Sequence, residues 1–222
     1  MNPFESRSKV EEFGIVAVTP YLESVSLDNN RYIWTNDCSD QKTRIELQHL
    51  VGDLIYTDIN NNAHTVELKT EQTFTGNLFC ETWSNLNPRE RKSRKGWMDT
   101  FQSELLWSCF LDKRLLYIIE FSKLHYWAFW KKQIYQYPEK YPQLEQRNNT
   151  YGHIVPWGII KNEIGLTQID LSNIAHNNHT PNLNYPPAGK QKIMPAKVPF
   201  KVKFEDWEQP AMTLSAQDEL PF

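Results

Sequence analysis

Only three cysteines, Cys38, Cys80 and Cys109, occur in the 222 residues. They are far apart and odd in number, which excludes a disulfide framework and a zinc site of paired cysteines. A reducing compartment follows, so a cytoplasmic location is expected. No apolar run reaches the ~20 residues that a membrane helix requires, and no membrane partner is expected. The N-terminus lacks a charged-then-apolar leader pattern, and no internal repeat is visible. Nor is there an excess of one charge: 24 Lys and Arg stand against 27 Asp and Glu, a formal net charge of −3. Such a chain is no general polyanion binder, and any nucleic-acid contact must come from a local basic patch. What the chain has is enough apolar material, 40% of its residues, for the core of one domain with extensions.

The most informative stretch runs from Val51 to Glu81. It reads as a strand DLIYTD from Asp53, a polar turn Asn60-Asn61-Asn62-Ala63, a second strand from His64 to Glu71, and the start of a third. Side chains alternate along a strand, so Glu67 and Lys69 share one face and Leu68 the other. A hairpin of this register brings Asp53 near Glu67. Two adjacent carboxylates repel unless a cation lies between them, and hard divalent ions take such oxygen ligands. A metal there activates water and stabilises charge developing on a phosphate. Lys69 is placed to orient or deprotonate the attacking water. The competing reading is a solvated hairpin with alternating charges.

Asp53, a gap, then Glu67-Leu68-Lys69 resembles the pattern of the PD-(D/E)XK nuclease superfamily. Thr75-Gly76-Asn77-Leu78-Phe79-Cys80-Glu81 resembles the third strand of a phage-type branch of it, and Gly96-Trp97 and the strand Leu115 to Phe121 follow in the expected order. The resemblance covers residues 40 to 165, with Gly52 where a proline often precedes the aspartate. It implies a restriction-endonuclease-like α/β fold, a central mixed sheet flanked by helices. It also implies Mg²⁺ or Mn²⁺ held by Asp53, Glu67 and the Leu68 carbonyl, with Lys69 assisting the water. Gln48, a few residues before the aspartate, would sit on the rim of the active site, although a surface glutamine is the plainer reading. An N-terminal helix, residues 3 to 13 with Gly14 after its end, would lend an acid from Glu11 or Glu12, which otherwise are solvated.

Elsewhere, residues 15 to 34 look extended and Thr43 to Leu50 reads as a strand, because Ile45 and Leu47 alternate with Glu46 and Gln48. His49 and His64 flank the site and are given no role. In the loop from Ser84 to Lys95, Arg89, Arg91, Lys92, Arg94 and Lys95 oppose only Glu90. That density suits a phosphate backbone, and Trp97 is placed to stack on a base or ribose. The alternatives are a solvated loop and a Trp97 that caps the core. Asp99 to Leu111 reads as a helix with Phe101, Leu105 and Cys109 on one face. A buried strand LLYIIEF follows, then a helix from Ser122, its N-cap, to about Gln136. Residues 151 to 164 read as a strand pair bent at Pro156 and Gly158.

Past a domain spanning residues 1–171, Asn, His and Pro dominate. Residues 172–196 read as linker, in which His176 and His179 lack companion ligands. Residues 197–222 read as an arm and partner-binding tail. Gln217, Asp218, Glu219, Leu220, Pro221 and Phe222 resemble two kinds of bound peptide. One is the acidic tip of bacterial single-stranded-DNA-binding proteins, read by repair and replication proteins. The other is the peptide that docks in the sliding clamp. The leading expectation is a metal-dependent nuclease acting on DNA in replication, repair or recombination. The alternative is a non-enzymatic DNA-binding or replication accessory protein whose tail is its main functional part.

Overall fold

The structure, a computed structural model, describes residues 3–29, 31–85, 94–130, 143–146 and 150–174. It is α/β, with a central mixed sheet flanked by helices as expected. The strands of that sheet are β1 (Tyr32–Trp34), β2 (Leu54–Thr57), β3 (Ala63–Glu71), β6 (Leu105–Phe110), β7 (Leu115–Glu120) and β10 (Thr167–Asp170), in the order β1-β2-β3-β6-β7-β10. Only β3 and β6 run parallel, with Val66 opposite Leu105 and Glu67 opposite Leu106; the other neighbours are antiparallel. A second, antiparallel sheet holds β4 (Asn77–Asn85), β5 (Arg94–Lys95), β8 (Gln143–Gln146) and β9 (Thr150–Pro156), in the order β5-β4-β9-β8. The helices are α1 (Pro3–Val25), α2 (Gln41–Val51), α3 (Trp97–Thr100), α4 (Phe121–His125), which runs on into a π turn to Trp130, and α5 (Trp157–Glu163).

Two cores lie on the two faces of the central sheet. On one, Val18 and Leu22 of α1 pack with Leu54, Val66, Leu105, Trp107, Cys109 and Leu116. On the other, Leu78 and Cys80 of β4 and Trp157 and Ile160 of α5 pack with Leu106, Phe110, Tyr117 and Ile119. Alternate residues of β6 therefore serve opposite cores, and all six are buried.

Five local expectations are overturned. The helix expected to stop at Gly14 continues to Val25, with Pro20 inside it, so of residues 15 to 34 only Tyr32–Trp34 form a strand. Gly14 sits where α1 meets β3: a Cβ there would lie 1.8 Å from the Thr70 hydroxyl oxygen. The glycine allows close approach of helix to strand and is not a stop signal. Thr43 to Leu50 is helical, within α2. Asp40 caps it by accepting the Thr43 N–H at 2.7 Å, and no residue of the helix is buried, so no apolar stripe announced it. Asp99 to Leu111 holds the last two residues of the one-turn α3 and then strand β6 in place of a helix. Burial on both faces fills a strand with apolar residues and erases its alternation. The helix expected from Ser122 is present to Trp130, but its N-cap is Glu120 in place of Ser122, with no side-chain cap bond, and its expected end near Gln136 lies outside the described residues. Residues 151 to 164 form one strand, β9, and one helix, α5, which begins directly after Pro156. The strands expected at Thr75 to Glu81 and from residue 151 are present as β4 and β9, but they pair with each other in a second sheet that the sequence did not announce.

Candidate active site

Three side chains singled out from the sequence meet at the start of the β2–β3 hairpin. The ladder continues one residue before β2, where the Asp53 N–H donates to the Val66 carbonyl at 2.8 Å. At the next rung the backbone turns away and the side chain takes over: the Leu68 N–H donates to Asp53 Oδ2 at 2.9 Å. The Asp53 carboxylate is thereby fixed against the Glu67-Leu68-Lys69 segment. A strand residue's N–H and C=O point to the same side, so the Leu68 carbonyl is directed toward the side that holds the Asp53 carboxylate.

The turn away is built by Gly52. Its φ of +81° is open to glycine and closed to proline, whose ring fixes φ near −65°. A Cβ at Gly52 would lie 2.2 Å from the Ser103 hydroxyl oxygen and 2.6 Å from the Val66 carbonyl oxygen. This is a physical reason for glycine where the resembled pattern often has proline. Thr35 holds the same bend: its N–H donates to the Asp53 carbonyl at 2.9 Å, and its hydroxyl donates to the carbonyls of Gly52 and Asp53 at 3.1 Å each.

Lys69 Nζ lies 2.6 Å from Glu67 Oε1. It also stands 4.9 Å from the centre of the Phe101 ring. Ser108, opposite Lys69 on β6, is buried and its hydroxyl has no hydrogen-bond partner among the described residues. Burial pushes the Asp53 carboxyl above its ordinary range, against the opposing pull of Lys69 and the Leu68 N–H. Burial raises Glu67 to about 7; Lys69 lowers it, and the charges of Asp53 and Glu11 raise it further. Burial pulls Lys69 down, but the carboxylates of Glu67, Asp53 and Glu81 outweigh this and leave it above its usual value. Two desolvated carboxylates, a lysine bound to one of them and acids approaching from α1 and β4 make a site deficient in positive charge. Among the described residues no three or more His, Cys, Asp or Glu side chains gather into a metal-holding group; the donors here are two carboxylates, of the oxygen type that hard divalent cations take.

The other expected residues are distributed differently. Glu11 lies on α1, which packs on β3, and its charge reaches Glu67. Gln48 is on α2, and its amide donates to Asn36 Oδ1 at 2.9 Å near the surface. His49 is exposed in the last turn of α2. Trp97 is buried, 8% exposed, with its ring stacked on Phe101 at 5.1 Å. It serves the core, where the sequence had offered it as a stacking platform. Arg94 is exposed on β5, whereas Lys95 pairs with Asp99 at 3.4 Å and lies over the Trp83 ring at 4.3 Å. Arg89, Arg91 and Lys92 lie outside the described residues, as do His176, His179, Gln217, Asp218, Glu219, Leu220, Pro221 and Phe222.

His64, assigned no role, bridges two carboxylates: Nδ1 is 3.0 Å from Glu104 Oε2 and Nε2 is 3.3 Å from Asp58 Oδ2. Sequence reasoning missed Phe101 beneath Lys69 because it placed Phe101 on a helix. It did quote Glu81, at the end of the Thr-Gly-Asn strand, but gave it no part in the site. Among the described residues no helix is long and apolar enough to cross a membrane. Compared with family models, with curated proteins and with solved structures, the chain matches none.

Proposed function

We propose that the chain is a metal-dependent nuclease that hydrolyses phosphodiester bonds in DNA. The observation that carries the proposal is the fixed placement of the Asp53 carboxylate on the Leu68 N–H, beside Glu67 and Lys69, where partial burial raises both carboxyls. Asp53, Glu67 and the Leu68 carbonyl would hold Mg²⁺ or Mn²⁺. Bound there, the ion supplies an activated water and charge stabilisation at the scissile phosphate. The chain's own residues do the rest. Asp53 is held rigid by the backbone it caps. Glu67, whose ionisation the Asp53 charge opposes, gives up its proton when positive charge enters the site. Lys69, kept protonated by its carboxylate neighbours, steers the attacking water and meets negative charge on the phosphate. The exposed Arg94 and the basic residues just before it in sequence are the proposed phosphate contacts.

The test is cleavage of labelled duplex, branched and single-stranded DNA with Mg²⁺, with Mn²⁺ and with a chelator. Metal-dependent cutting that Asp53→Asn abolishes is the expected result. No cutting of any substrate by the wild-type protein, with retained DNA binding, would overturn the nuclease proposal and leave the non-enzymatic DNA-binding reading.

A further inference from the structure

We infer that Ile33 and Ile55 form a seat for an unpaired nucleobase beside the scissile phosphate, so that the strand being cut is single, or splayed from its complement, at that point. The inference rests on the nuclease reading of Asp53, Glu67 and Lys69. Side chains alternate along a strand, and Leu54 and Tyr56 of β2 face the core beneath α1, so Asp53 and Ile55 share the opposite face. Val66 and Leu68 of β3 face the same core, which leaves Thr65, Glu67 and Lys69 on the face of Asp53. Tyr32 and Trp34 place Ile33 there as well. The core on that face is built on β6 and β7, and among the described residues none from β1 or β2 takes part in it. Ile33 lies opposite Ile55, and Ile55 lies opposite Thr65. Ile33 is 65% exposed and Ile55 is half-buried.

A lone exposed isoleucine carries no message, but the place of this one does. Residues opposite each other in an antiparallel pair hold their Cβ atoms about 4.5–5.5 Å apart, so Ile33 and Ile55 form one apolar surface. Ile55 follows Asp53 by two residues, about 6.6 Å along the strand and on the same face. The face thus changes character within one step. At one end stand two carboxylates and a lysine; at the other stand two apolar side chains. A nucleotide has the complementary charge pattern, an anionic phosphate joined through its sugar to an uncharged flat base. The phosphate goes to the metal-loaded carboxylates and the base to the isoleucines. Thr65 closes the seat on the β3 side, where its hydroxyl is already engaged by the Glu104 N–H at 2.9 Å. The seat is therefore apolar and reads the face of a base, not its edge. Within a duplex both faces of a base are covered by its stacked neighbours, so only an unpaired base can lie flat on this sheet.

The test is a binding cycle with the full chain in Ca²⁺. It is read by fluorescence anisotropy of a labelled oligothymidylate and of an abasic strand with the same number of phosphates. Equal phosphates cancel the electrostatic part of binding, so the ratio of the two affinities isolates the bases. Wild-type protein should favour the thymidylate strand by about tenfold. Ile33→Ser should lower that ratio by about threefold or more and leave the abasic affinity within about twofold, whereas Ile33→Phe should preserve the ratio. Affinity for a fully paired hairpin duplex should be the same in wild type and Ile33→Ser. Melting curves check the fold, and Ile33→Thr takes the place of Ile33→Ser if the serine variant unfolds. A ratio unchanged by the substitution, or an equal loss on both strands, would overturn the seat. So would a wild-type dimer in sedimentation that Ile33→Ser dissociates, because the face would then belong to a second copy of the chain. The nuclease reading fails separately: protein that shows the expected ratio but cuts neither strand in Mg²⁺ or Mn²⁺ keeps the seat and refutes the nuclease.

Discussion

The two ends of the β2–β3 hairpin carry nearly the same groups in opposite electrostatic states. At one end Asp53 and Glu67 share Lys69; at the other Asp58 and Glu104 share His64. Asp58 is saturated by donors. The N–H groups of Asn62 and Asn60 donate to Oδ1 at 2.8 and 2.9 Å, and the Asn62 amide donates to Oδ2 at 3.1 Å. Led by the Asn62 N–H, these bonds lower the Asp58 carboxyl to about 2. At the other end Asp53 receives the Leu68 N–H, burial dominates, and both carboxyls rise. Composition does not distinguish the two clusters. Desolvation with few donors makes a carboxylate pair receptive to a cation; plentiful backbone donors make it a structural clasp that closes a turn.

The largest expected effect tests whether that distinction is functional. Asp53→Asn, Glu67→Gln and Lys69→Ala should each lower metal-dependent cleavage by about a thousandfold or more, since each removes a ligand or the group that handles the water. His64→Ala should leave cleavage within a few-fold of wild type and instead lower the melting temperature. Rates from a single-turnover assay beside thermal melts would separate the two ends. Equal loss of activity from His64→Ala would erase the comparison.

A packing change should also act more strongly on one end. Gly14→Ala places a methyl 1.8 Å from the Thr70 hydroxyl oxygen. Either α1 lifts from β3 or Thr70 is displaced, at a cost of about 2–4 kcal/mol. Glu11 rides on the same helix, and the last residue of α1 also reaches the Asp58 turn, where the Ile59 N–H donates to the Val25 carbonyl at 3.1 Å, so the Glu67 end should be disturbed more than the Asp58 clasp. Adding Thr70→Ala should recover part of the stability. Denaturant unfolding of the single and double variants measures this, and independent, additive effects would show that the close approach is not what constrains residue 14.

The two ends should also respond to pH with opposite sign. Glu67 and Glu71 are both raised to about 7 by burial, so the folded chain binds their protons more tightly than the unfolded chain does. Their contribution is greatest below the ordinary glutamate range, near pH 4.5, and is lost as pH rises toward 7. Without metal, stability should therefore fall between about pH 5 and 8, and Glu67→Gln should flatten that fall and stabilise the protein at pH 8 by roughly 1–3 kcal/mol. Asp58 works the other way. Its stabilisation is present above the ordinary value of 3.8 and is lost as pH falls toward 2. Melts across this range in a chelator, with Glu67→Gln and Asp58→Asn, read both limbs. A Glu67→Gln curve parallel to wild type would mean that Glu67 is not desolvated.

The hairpin was legible in sequence because its determinants are local. The alternation in His64 to Glu71 and the polar Asn60-Asn61-Asn62 turn fix the register that carries Asp53 to Glu67 and Lys69. The errors arose where tertiary context overrides local pattern. β6 looked helical because both of its faces are buried. α2 looked like a strand because it buries nothing, and its one reliable signal was the cap, Asp40 ahead of Thr43. Gly14 looked like a helix end because the reason for it, Thr70, lies 56 residues further along the chain. The same limit applied within the site: Phe101, four residues before β6, reaches Lys69 through the pairing of β3 with β6, which no local window contains.

The smallest expected effect concerns the approach of substrate to the desolvated end. Arg94 is exposed on β5, whereas its neighbour Lys95 is engaged with Asp99 and the Trp83 ring. If phosphate lies along this strand, Arg94 contacts it directly and Lys95 must first give up its partners. Arg94→Ala should then weaken duplex binding and reduce the slope of log affinity against log salt by about 0.9, the value for one lost phosphate contact. Lys95→Ala should change the slope by less, while loosening the 95–99 pairing that leads toward Phe101. Arg31, paired with Asp28 at the far end of the hairpin, serves as the control, and Arg31→Ala should leave the slope unchanged. Titrations at several salt concentrations decide the matter. An equal change for Arg31→Ala and Arg94→Ala would mean that DNA is drawn by general surface charge, with no path leading to the Asp53 end.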